Sequence, residues 1–187
     1  MANFRYWILV FLFSSGCYSH KKSIESSLPY SKEIAWPVDY EPSTTSFFVH
    51  NEIDIKAKPE RVWNILIQAE EWPQWYVGGQ NVSIKDSKSD RLKAGTIFTW
   101  KTMGLNFTSE VKEFEAPYRL SWESRKNSIK GYHAWLIVPA EAGCKLITDE
   151  SQYGWLTFMQ KTFIPNKLWK QHNKWLMEIK KKAEVNN

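Results

Sequence analysis

Apolar and polar residues alternate along much of the chain after residue 46, with the period of two that is typical of half-buried β-strands. The first such segment is Phe47–Ile55, and six more follow it after residue 80. Short turn signals such as Met103-Gly104 and Ala116-Pro117 separate several of them. The six are Asn81–Lys85, Thr96–Thr102, Leu105–Phe114, Arg119–Ser124, Gly131–Val138 and Cys144–Gln152. Strands in series with short turns predict an antiparallel meander, with one face towards a core and the other towards water.

The apolar spacing changes to that of a helix in two regions. After the first strand, Pro59 opens a predicted helix, and a short second helix or turn covers Glu70–Trp75. Leu156–Ala183 is helical at its far end, and Pro165 breaks or kinks its first part. One apolar stripe of this last helix contains Leu168, His172, Trp175, Leu176 and Ile179. The order predicts an α+β fold in which a curved antiparallel sheet wraps around the long C-terminal helix.

The N-terminus has the order of a secretory signal. A positive charge at Arg5 precedes the apolar run Tyr6–Phe13, and the small residues Ser14-Ser15-Gly16 lead to Cys17. The run is shorter than the roughly 20 apolar residues that a membrane span requires. We therefore expect residues 1–16 to be a signal peptide and residues 17–46, which contain proline and no sustained period, to be a tether. The second half of this tether, Trp36–Pro42, is expected to lie against the domain.

The residues around Gly16-Cys17 resemble the lipobox of bacterial lipoproteins, in which the cysteine becomes the lipidated first residue of the mature protein. Ser14 replaces the leucine that usually lies three positions before this cysteine. The resemblance implies an exported protein that is held at the cell membrane by a lipid on Cys17. The alternative is a secreted or periplasmic protein without the lipid.

Composition adds a few constraints. The 187 residues include 43% hydrophobic residues and 11 tryptophans, which suffices for a core or a cavity wall rich in large rings. The formal net charge of +5 is modest, and no nucleic-acid-binding pattern is present, so we expect no nucleic-acid partner. Lysines become denser towards the C-terminus, where they form either a solvated helix face or a surface weakly attracted to anionic membranes.

A set of motifs in a fixed order resembles the START-like SRPBCC superfamily, near its polyketide cyclase/dehydrase type. The motifs are Ala57-Lys58-Pro59 with Val62-Trp63, Trp72-Pro73-x-Trp75, Phe114-x-x-Pro117-x-x-Leu120-x-Trp122, His133-x-Trp135-x-Ile137-x-Pro139, Gly143 with Glu150, and Trp175-Leu176. The resemblance assigns residues 47–187 to one domain and implies the helix-grip fold, with a hydrophobic cavity under the C-terminal helix. The superfamily includes lipid carriers, hormone receptors and cyclases, so the motifs indicate the fold and not one function.

The turn between the last two strands gives a register for the predicted cavity. If Pro139 faces Cys144, then His133 faces Glu150, and all four lie on the face that the resemblance places inward. A cavity of roughly 300–1,000 Å³ is expected there. Its predicted lining residues are Leu105, Phe107, Val111, Leu120, Trp122, His133, Trp135, Thr148 and Glu150. Three further residues form either its mobile rim or the packing of a short helix: Trp72, Trp75 and Tyr76.

His133 and Glu150 are the acid–base pair that the sequence predicts. They form either a structural pair that closes the end of the sheet or a polar anchor for a ligand, and the carboxylate favours protonated His133. The four histidines are scattered and no cysteine pair has metal-ligand spacing, so neither a metal site nor a cofactor is predicted. Cys144 is expected to be a small, inward-facing hydrophobic residue.

These patterns predict an exported, lipid-anchored domain that binds an apolar small molecule such as a lipid, a quinone or a polyketide-like compound. Its partners are then that molecule and the membrane. The alternative is a cyclase-, dehydratase- or hydrolase-like enzyme of the same fold that uses His133 and Glu150. A third hypothesis is a protein-interaction module with a filled core.

Overall fold

The sheet of the computed structural model contains seven strands. They are β1 (Phe47–Ile55), β2 (Gln80–Ile84), β3 (Ile97–Thr102), β4 (Leu105–Glu115), β5 (Arg119–Lys126), β6 (Ile129–Ala140) and β7 (Gly143–Tyr153). All neighbouring strands are antiparallel, in the order β1-β7-β6-β5-β4-β3-β2. The structure describes residues 32–85 and 89–185, so the predicted signal peptide and Cys17 lie outside the described residues. The antiparallel meander predicted from the alternating pattern is confirmed.

The register of the sheet agrees with the sequence pattern at the hairpin of β6 and β7. Pro139 lies opposite Cys144, and His133 lies opposite Glu150, as predicted. A register shift after Val111 interrupts the pairing of β4 with β5. Such a bulge bends and twists its strand, and the bend helps the sheet to curve around the helix on its inner face.

Four α-helices accompany the sheet in the described part of the chain, together with two short 3-10 helices, Val38–Tyr40 and Ala69–Glu71. The α-helices are α1 (Pro59–Ile67), α2 (Trp72–Trp75), α3 (Trp155–Phe163) and α4 (Lys167–Glu184). Pro59 occupies the first turn of α1, where its missing N–H leaves no bond unmade, and Pro165 separates α3 from α4. The buried stripe of α4 consists of Leu168, His172, Trp175, Leu176, Ile179 and Ala183. The helix-grip architecture is therefore confirmed, and none of the described helices combines the length and apolar character needed to cross a bilayer.

Aromatic rings dominate the core between the sheet and α4. Trp175 of α4 stacks on Tyr76 with ring centroids 4.5 Å apart, and its centroid lies 5.0 Å from those of Trp72 and Trp135. These three tryptophans and Trp122 are each less than 2% exposed. A buried aromatic side chain removes roughly 150–250 Å² from water, so a small number of rings supplies much of the apolar burial. Cys144 is also buried in this core, as predicted, and burial raises the pKa of its thiol to about 11.

Residues 32–46 cover part of the outer face of the sheet. Ile34 and Tyr40 are buried against Tyr132 of β6, and the Tyr40 hydroxyl donates to Glu123 Oε1 at 2.5 Å. As a result, most residues of β6 are buried on both faces. The sequence pattern predicts water on this face, because a period of two separates the faces of a strand without showing what lies against each one.

Candidate functional site

A small cavity lies at one end of the core, between the sheet and the helices α3 and α4. Its volume is about 50 Å³. The expected volume of roughly 300–1,000 Å³ is therefore wrong, because the rings of Trp72, Trp100, Trp122 and Trp175 fill the space beneath α4. A cavity of about 150 Å³ accommodates benzene, so this smaller one has room for a few water molecules. Its walls are Tyr76, Trp100, Thr102, Met103, Leu105, Phe107, Trp122, Ser124, Ile129, Gly131, His133, Glu150, Gln152, Gln160, Leu168, His172 and Trp175.

Three polar side chains from different elements meet at one wall of the cavity. His133 of β6 lies opposite Glu150 of β7, and His172 approaches from α4. Glu150 Oε2 is 3.0 Å from His133 Nδ1 and 3.0 Å from His172 Nε2. Glu150 Oε1 accepts a hydrogen bond from Gln152 Nε2 at 2.5 Å. One carboxylate is thus held by three nitrogen atoms, two of which belong to imidazole rings.

His133 is a neutral imidazole in this environment. Its ring stacks against Trp122 and Trp135, with centroids 4.7 and 5.1 Å away. Burial lowers the pKa of His133 to about 4, and it outweighs the hydrogen bond and the charge of Glu150, which raise the pKa. The expectation of a protonated His133 is therefore wrong. With Nδ1–H donated to Glu150, His133 Nε2 accepts from the Thr148 hydroxyl at 2.7 Å.

Glu150 keeps its negative charge. Burial alone would raise the pKa of its carboxyl group, but the hydrogen bonds from His133 and His172 outweigh burial and hold the pKa well below its usual range. The described residues that line the cavity include no lysine or arginine. The polar cluster therefore consists of a carboxylate flanked by two imidazoles, and it lies in a cavity whose other walls are largely aromatic. This arrangement suits a bound group that donates hydrogen bonds or carries positive charge.

Several buried polar atoms on the cavity walls have no hydrogen-bond partner among the described residues. They are His172 Nδ1, Gln152 Oε1, Gln160 Nε2, Trp122 Nε1 and Trp175 Nε1. Buried polar groups in folded proteins are nearly always paired with protein or water. Leaving one unpaired costs roughly 1–3 kcal/mol. A molecule in the cavity could therefore accept hydrogen bonds from the amide and indole N–H groups and donate hydrogen bonds to His172 Nδ1 and Gln152 Oε1.

The same cluster could hold a metal ion. His133 Nδ1, Glu150 Oε2 and His172 Nε2 lie within 4.8 Å of one another, the one such grouping found in the part of the chain that the structure describes. Imidazole nitrogen and carboxylate oxygen are ligands that zinc and iron accept. Sequence spacing predicts no metal site here, because the three residues come from separate elements and meet only in the folded domain.

The structure brings part of the predicted lining together on the cavity wall: Leu105, Phe107, Trp122, His133 and Glu150. Thr148 is buried behind this wall, where it contacts His133. Val111, Leu120 and Trp135 face inward but belong to the core around the cavity. The cavity occupies one end of the sheet, beside the turn from β3 to β4, so inward residues farther along the strands pack against other side chains.

The three predicted rim residues have three different positions. Tyr76 lines the cavity. Trp72 is fully buried in the core, and Trp75 lies on a neighbouring groove. Because α2 is only one turn long, its rings point in different directions and do not form a common edge.

The sequence pattern places His172 on the apolar stripe of the last helix but does not identify it as a residue of the site. On this stripe of α4, a histidine among leucine and tryptophan signals a buried polar contact. Its partner could not be identified from the sequence, because the approach of α4 to β7 depends on the fold of the whole domain. The same limitation applies to Gln160, which α3 brings to the cavity wall.

An open groove of about 1110 Å³ lies beside the cavity and shares part of its wall. Tyr76, Thr102 and Met103 line both spaces. Gln171 Nε2 of α4 donates to Thr102 Oγ1 at 2.7 Å and fastens the helix to the end of β3. Movement of Tyr76 or Met103 would therefore join the cavity to the groove.

The fold resembles solved structures of other proteins. A hypothetical protein from Helicobacter pylori is 27% identical, with a TM-score of 0.76, over 84% of this chain and 100% of that chain. Norcoclaurine synthase from Thalictrum flavum, solved with dopamine and hydroxybenzaldehyde, is 13% identical, with a TM-score of 0.60, over 82% of this chain and 95% of that chain. At the lower identity the likeness concerns the fold alone.

The sequence also has relatives. Protein O of the oxopyrrolidines biosynthesis cluster of Penicillium oxalicum is 28% identical, over 44% of this chain and 52% of that protein, so the match spans about half of the relative's length. A family model described as polyketide cyclase / dehydrase and lipid transport matches residues 47–184, which include every strand and the cavity. The chain belongs to this polyketide cyclase / dehydrase and lipid transport family.

Proposed function

We propose that the domain binds a small molecule in the cavity beneath α4, with a polar group of the ligand against Glu150 and the two histidines. The observation that carries this proposal is the set of unpartnered polar atoms on the cavity walls. A ligand that both donates and accepts hydrogen bonds there would remove the cost of leaving those atoms unpaired. The aromatic walls would supply the apolar contacts that small-molecule sites usually provide.

Because the closed cavity of about 50 Å³ is smaller than the roughly 150 Å³ that accommodates benzene, Tyr76 or Met103 must move to admit a ligand. The polar wall then suits a compact molecule with an aromatic or apolar body and a hydroxyl or amine. Such a group can donate to the Glu150 carboxylate, whereas a second carboxylate would be repelled by it in a site of low dielectric constant. A long-chain lipid or quinone does not fit the closed cavity. After the same movement of Tyr76 or Met103, most of its body would extend into the groove.

Export and attachment to a membrane through a lipid on Cys17 are part of the proposal. They are supported by the order of Arg5, Tyr6–Phe13 and the small residues before Cys17. Mass spectrometry of the membrane fraction tests them, and we expect a mature chain that begins at an acylated Cys17. A chain with an intact N-terminus in the cytoplasm would exclude export. An unacylated chain outside the cytoplasm would exclude the lipid anchor and support secretion only.

A cyclase- or dehydratase-like enzyme is the second candidate, and His172 is the observation in its favour. Glu150 accepts the Nε2–H of His172, which leaves Nδ1 as an unpartnered acceptor on the cavity wall. An imidazole oriented by a carboxylate in this way is suited to remove a proton from a bound substrate. In this role His172 would be the general base, Glu150 would orient it, and His133 would complete the polar wall.

Native mass spectrometry of the protein, purified without denaturation, tests the binding proposal. We expect an adduct that dissociates on unfolding and is identified by its mass. Leu105→Trp should abolish it, because the larger ring occupies the cavity. Ile97→Trp, at a residue 41% exposed and outside the cavity wall, should retain it. No adduct on the wild type, or equal adducts on both variants, would overturn the proposal. An unchanged compound favours a carrier, and a converted compound favours the enzyme.

A further inference from the structure

Helix α3 is apolar in sequence, but its aromatic side chains lie mostly in solvent. Thr157 is the one buried residue of this helix, and its half-buried residues include Gln160. Trp155 and Phe158, which lie on one side of the helix at a spacing of three, are 62% and 63% exposed. The apolar face of a helix in a globular domain normally packs against the core. The two rings of α3 have no such cover among the described residues.

The apolar exposure continues through the corner between α3 and α4. Residues 161–167 are all exposed, and they include Phe163 and Ile164, which are 69% and 46% exposed. Trp169, in the first turn of α4, is 47% exposed. We call these side chains the aromatic patch: Trp155, Phe158, Phe163, Ile164 and Trp169. A concentration of large apolar side chains on one surface segment marks a site of interaction.

The charged residues of the chain segment that carries the aromatic patch are all lysines. No aspartate or glutamate occurs between Ser151 and Met177. The lysines of this stretch are Lys161, Lys167, Lys170 and Lys174, all of them exposed. Tryptophan and phenylalanine combined with lysine are typical of helices that lie in the headgroup region of an anionic bilayer.

We propose that the aromatic patch docks the domain on an anionic lipid surface. Its rings enter the boundary between headgroups and acyl chains, and the lysines lie against the lipid phosphates. A second copy of the chain fits less well, because a symmetric contact through the same patch would bring lysines against lysines.

The aromatic patch borders the ligand site. Gln160 of α3 and Leu168 of α4 line the cavity, and Lys167 and Lys170 line the groove. Docking would therefore bring the cavity wall at Gln160 and Leu168, and the groove at Lys167 and Lys170, close to the lipid, where apolar compounds dissolve. The contact needs neither a bound ligand nor an acyl chain on Cys17. Its failure would leave the proposed small-molecule site untouched.

Vesicle binding by the full chain tests the docking proposal. Every protein carries Cys17→Ser, which removes the proposed site of acylation, and co-sedimentation is measured with vesicles of phosphatidylcholine alone or mixed equally with phosphatidylglycerol. We expect partitioning onto the anionic vesicles to be at least about tenfold stronger than onto neutral ones. It should weaken as salt is raised, because screening shortens the reach of the lysines.

Two variants and a matched control identify the surface. The first variant combines Trp155→Ser, Phe158→Ser and Phe163→Ser. The second combines Lys167→Glu and Lys170→Glu. The control combines Val38→Ser and Ile97→Ser, at residues 89% and 41% exposed outside the patch. The apolar run at the N-terminus is present in all of them, so its contribution cancels.

We expect each patch variant to lose about tenfold or more of its binding to anionic vesicles, and the control to lose none. All substituted side chains are exposed, so circular dichroism and thermal unfolding should show an unchanged fold. Equal binding by patch variants and control would overturn the proposal. Loss of a dimer in the patch variants, without vesicle binding by the parent chain, would assign the surface to self-association and also overturn it.

Discussion

Glu150 joins the elements of the candidate site through a single carboxylate. Its oxygens receive N–H groups from His133 on β6, His172 on α4 and Gln152 on β7. Three donors explain why the carboxylate stays ionised although it is buried. The ionised group in turn fixes which nitrogen of each imidazole carries its proton, and it leaves His172 Nδ1 open towards the cavity.

The neutral state of His133 predicts that stability falls as the pH is lowered from about 6.5 to about 4. Burial lowers the pKa of His133 from its ordinary value of 6.5 to about 4. In this pH window the unfolded chain therefore binds a proton that the folded protein does not bind. Acid thus favours unfolding and lowers the free energy of unfolding by up to about 3 kcal/mol. Urea unfolding at a series of pH values measures the effect.

His50 is the control for this measurement, because its pKa is shifted in the direction opposite to that of His133. Its hydrogen bond to Asp149 raises its pKa, so its contribution to stability is present at low pH and is lost as the pH rises through the folded pKa. His133→Gln should flatten the stability profile between about pH 4 and 6.5, whereas His50→Gln should leave that slope in place. A wild-type profile that is already flat in this window would contradict a buried, neutral His133.

Single residues also show where sequence-based prediction stops. The pairing of His133 with Glu150 could be predicted, because the register of a hairpin follows from its turn and from the alternation of faces. The charge of His133 could not. It depends on the rings of Trp122 and Trp135 stacked against it and on exclusion of water by α4, and these come from packing between distant segments.

At the scale of elements, α4 packs on the aromatic core, and Trp175 makes the central contacts between this helix and the core. Trp175→Ala should lower the free energy of unfolding by about 3–5 kcal/mol, because removing a fully buried indole loses its burial and leaves a cavity. Thermal unfolding should show a decrease of roughly 10 °C or more. Trp169→Ala, on the same helix but 47% exposed, should change stability by less than about 0.5 kcal/mol. Similar effects of the two substitutions would contradict the packing.

The predicted strands and the long helix agree with the structure because each is a local periodic pattern. The buried stripe of α4 and the break at Pro165 could both be read from the sequence. The exposure of α3 could not, because an apolar helix is normally assigned to a core. The exposed side chains of the aromatic patch, three of them on α3, became visible only in the folded domain, where α4 and the tryptophans pack against the inner face of the sheet.

For the whole molecule, residues 32–46 act as an outer cover that complements α4 on the inner face. Tyr40→Phe should lower the free energy of unfolding by about 1–3 kcal/mol, because it removes the hydroxyl that donates to the buried Glu123 carboxylate. Tyr118→Phe, at a residue 40% exposed, is the matched control and should have little effect. Chemical denaturation compares the two, and equal stabilities would argue against a structural role for the cover.

The volume of the cavity is a property of the whole molecule, and it explains the largest error of the sequence-based prediction. The fold and the inward face could be predicted, but tryptophan rings are able both to line a space and to fill it. In this protein the rings fill the space beneath α4, as the contacts between Trp72, Trp100, Trp122 and Trp175 show. These contacts depend on ring orientations that no sequence pattern specifies.

The central claim is that a ligand completes the polar wall formed by His133, Glu150 and His172. Nitrogen-15 NMR of the histidine rings tests it most directly, on the protein as purified and again after unfolding, removal of small molecules and refolding. We predict that removal changes the resonance of His172 Nδ1 most and shifts His133 less, because this Nδ1 has no hydrogen-bond partner among the described residues. His50, outside the cavity wall, should not change. Identical spectra for His133 and His172 in both preparations would contradict the account.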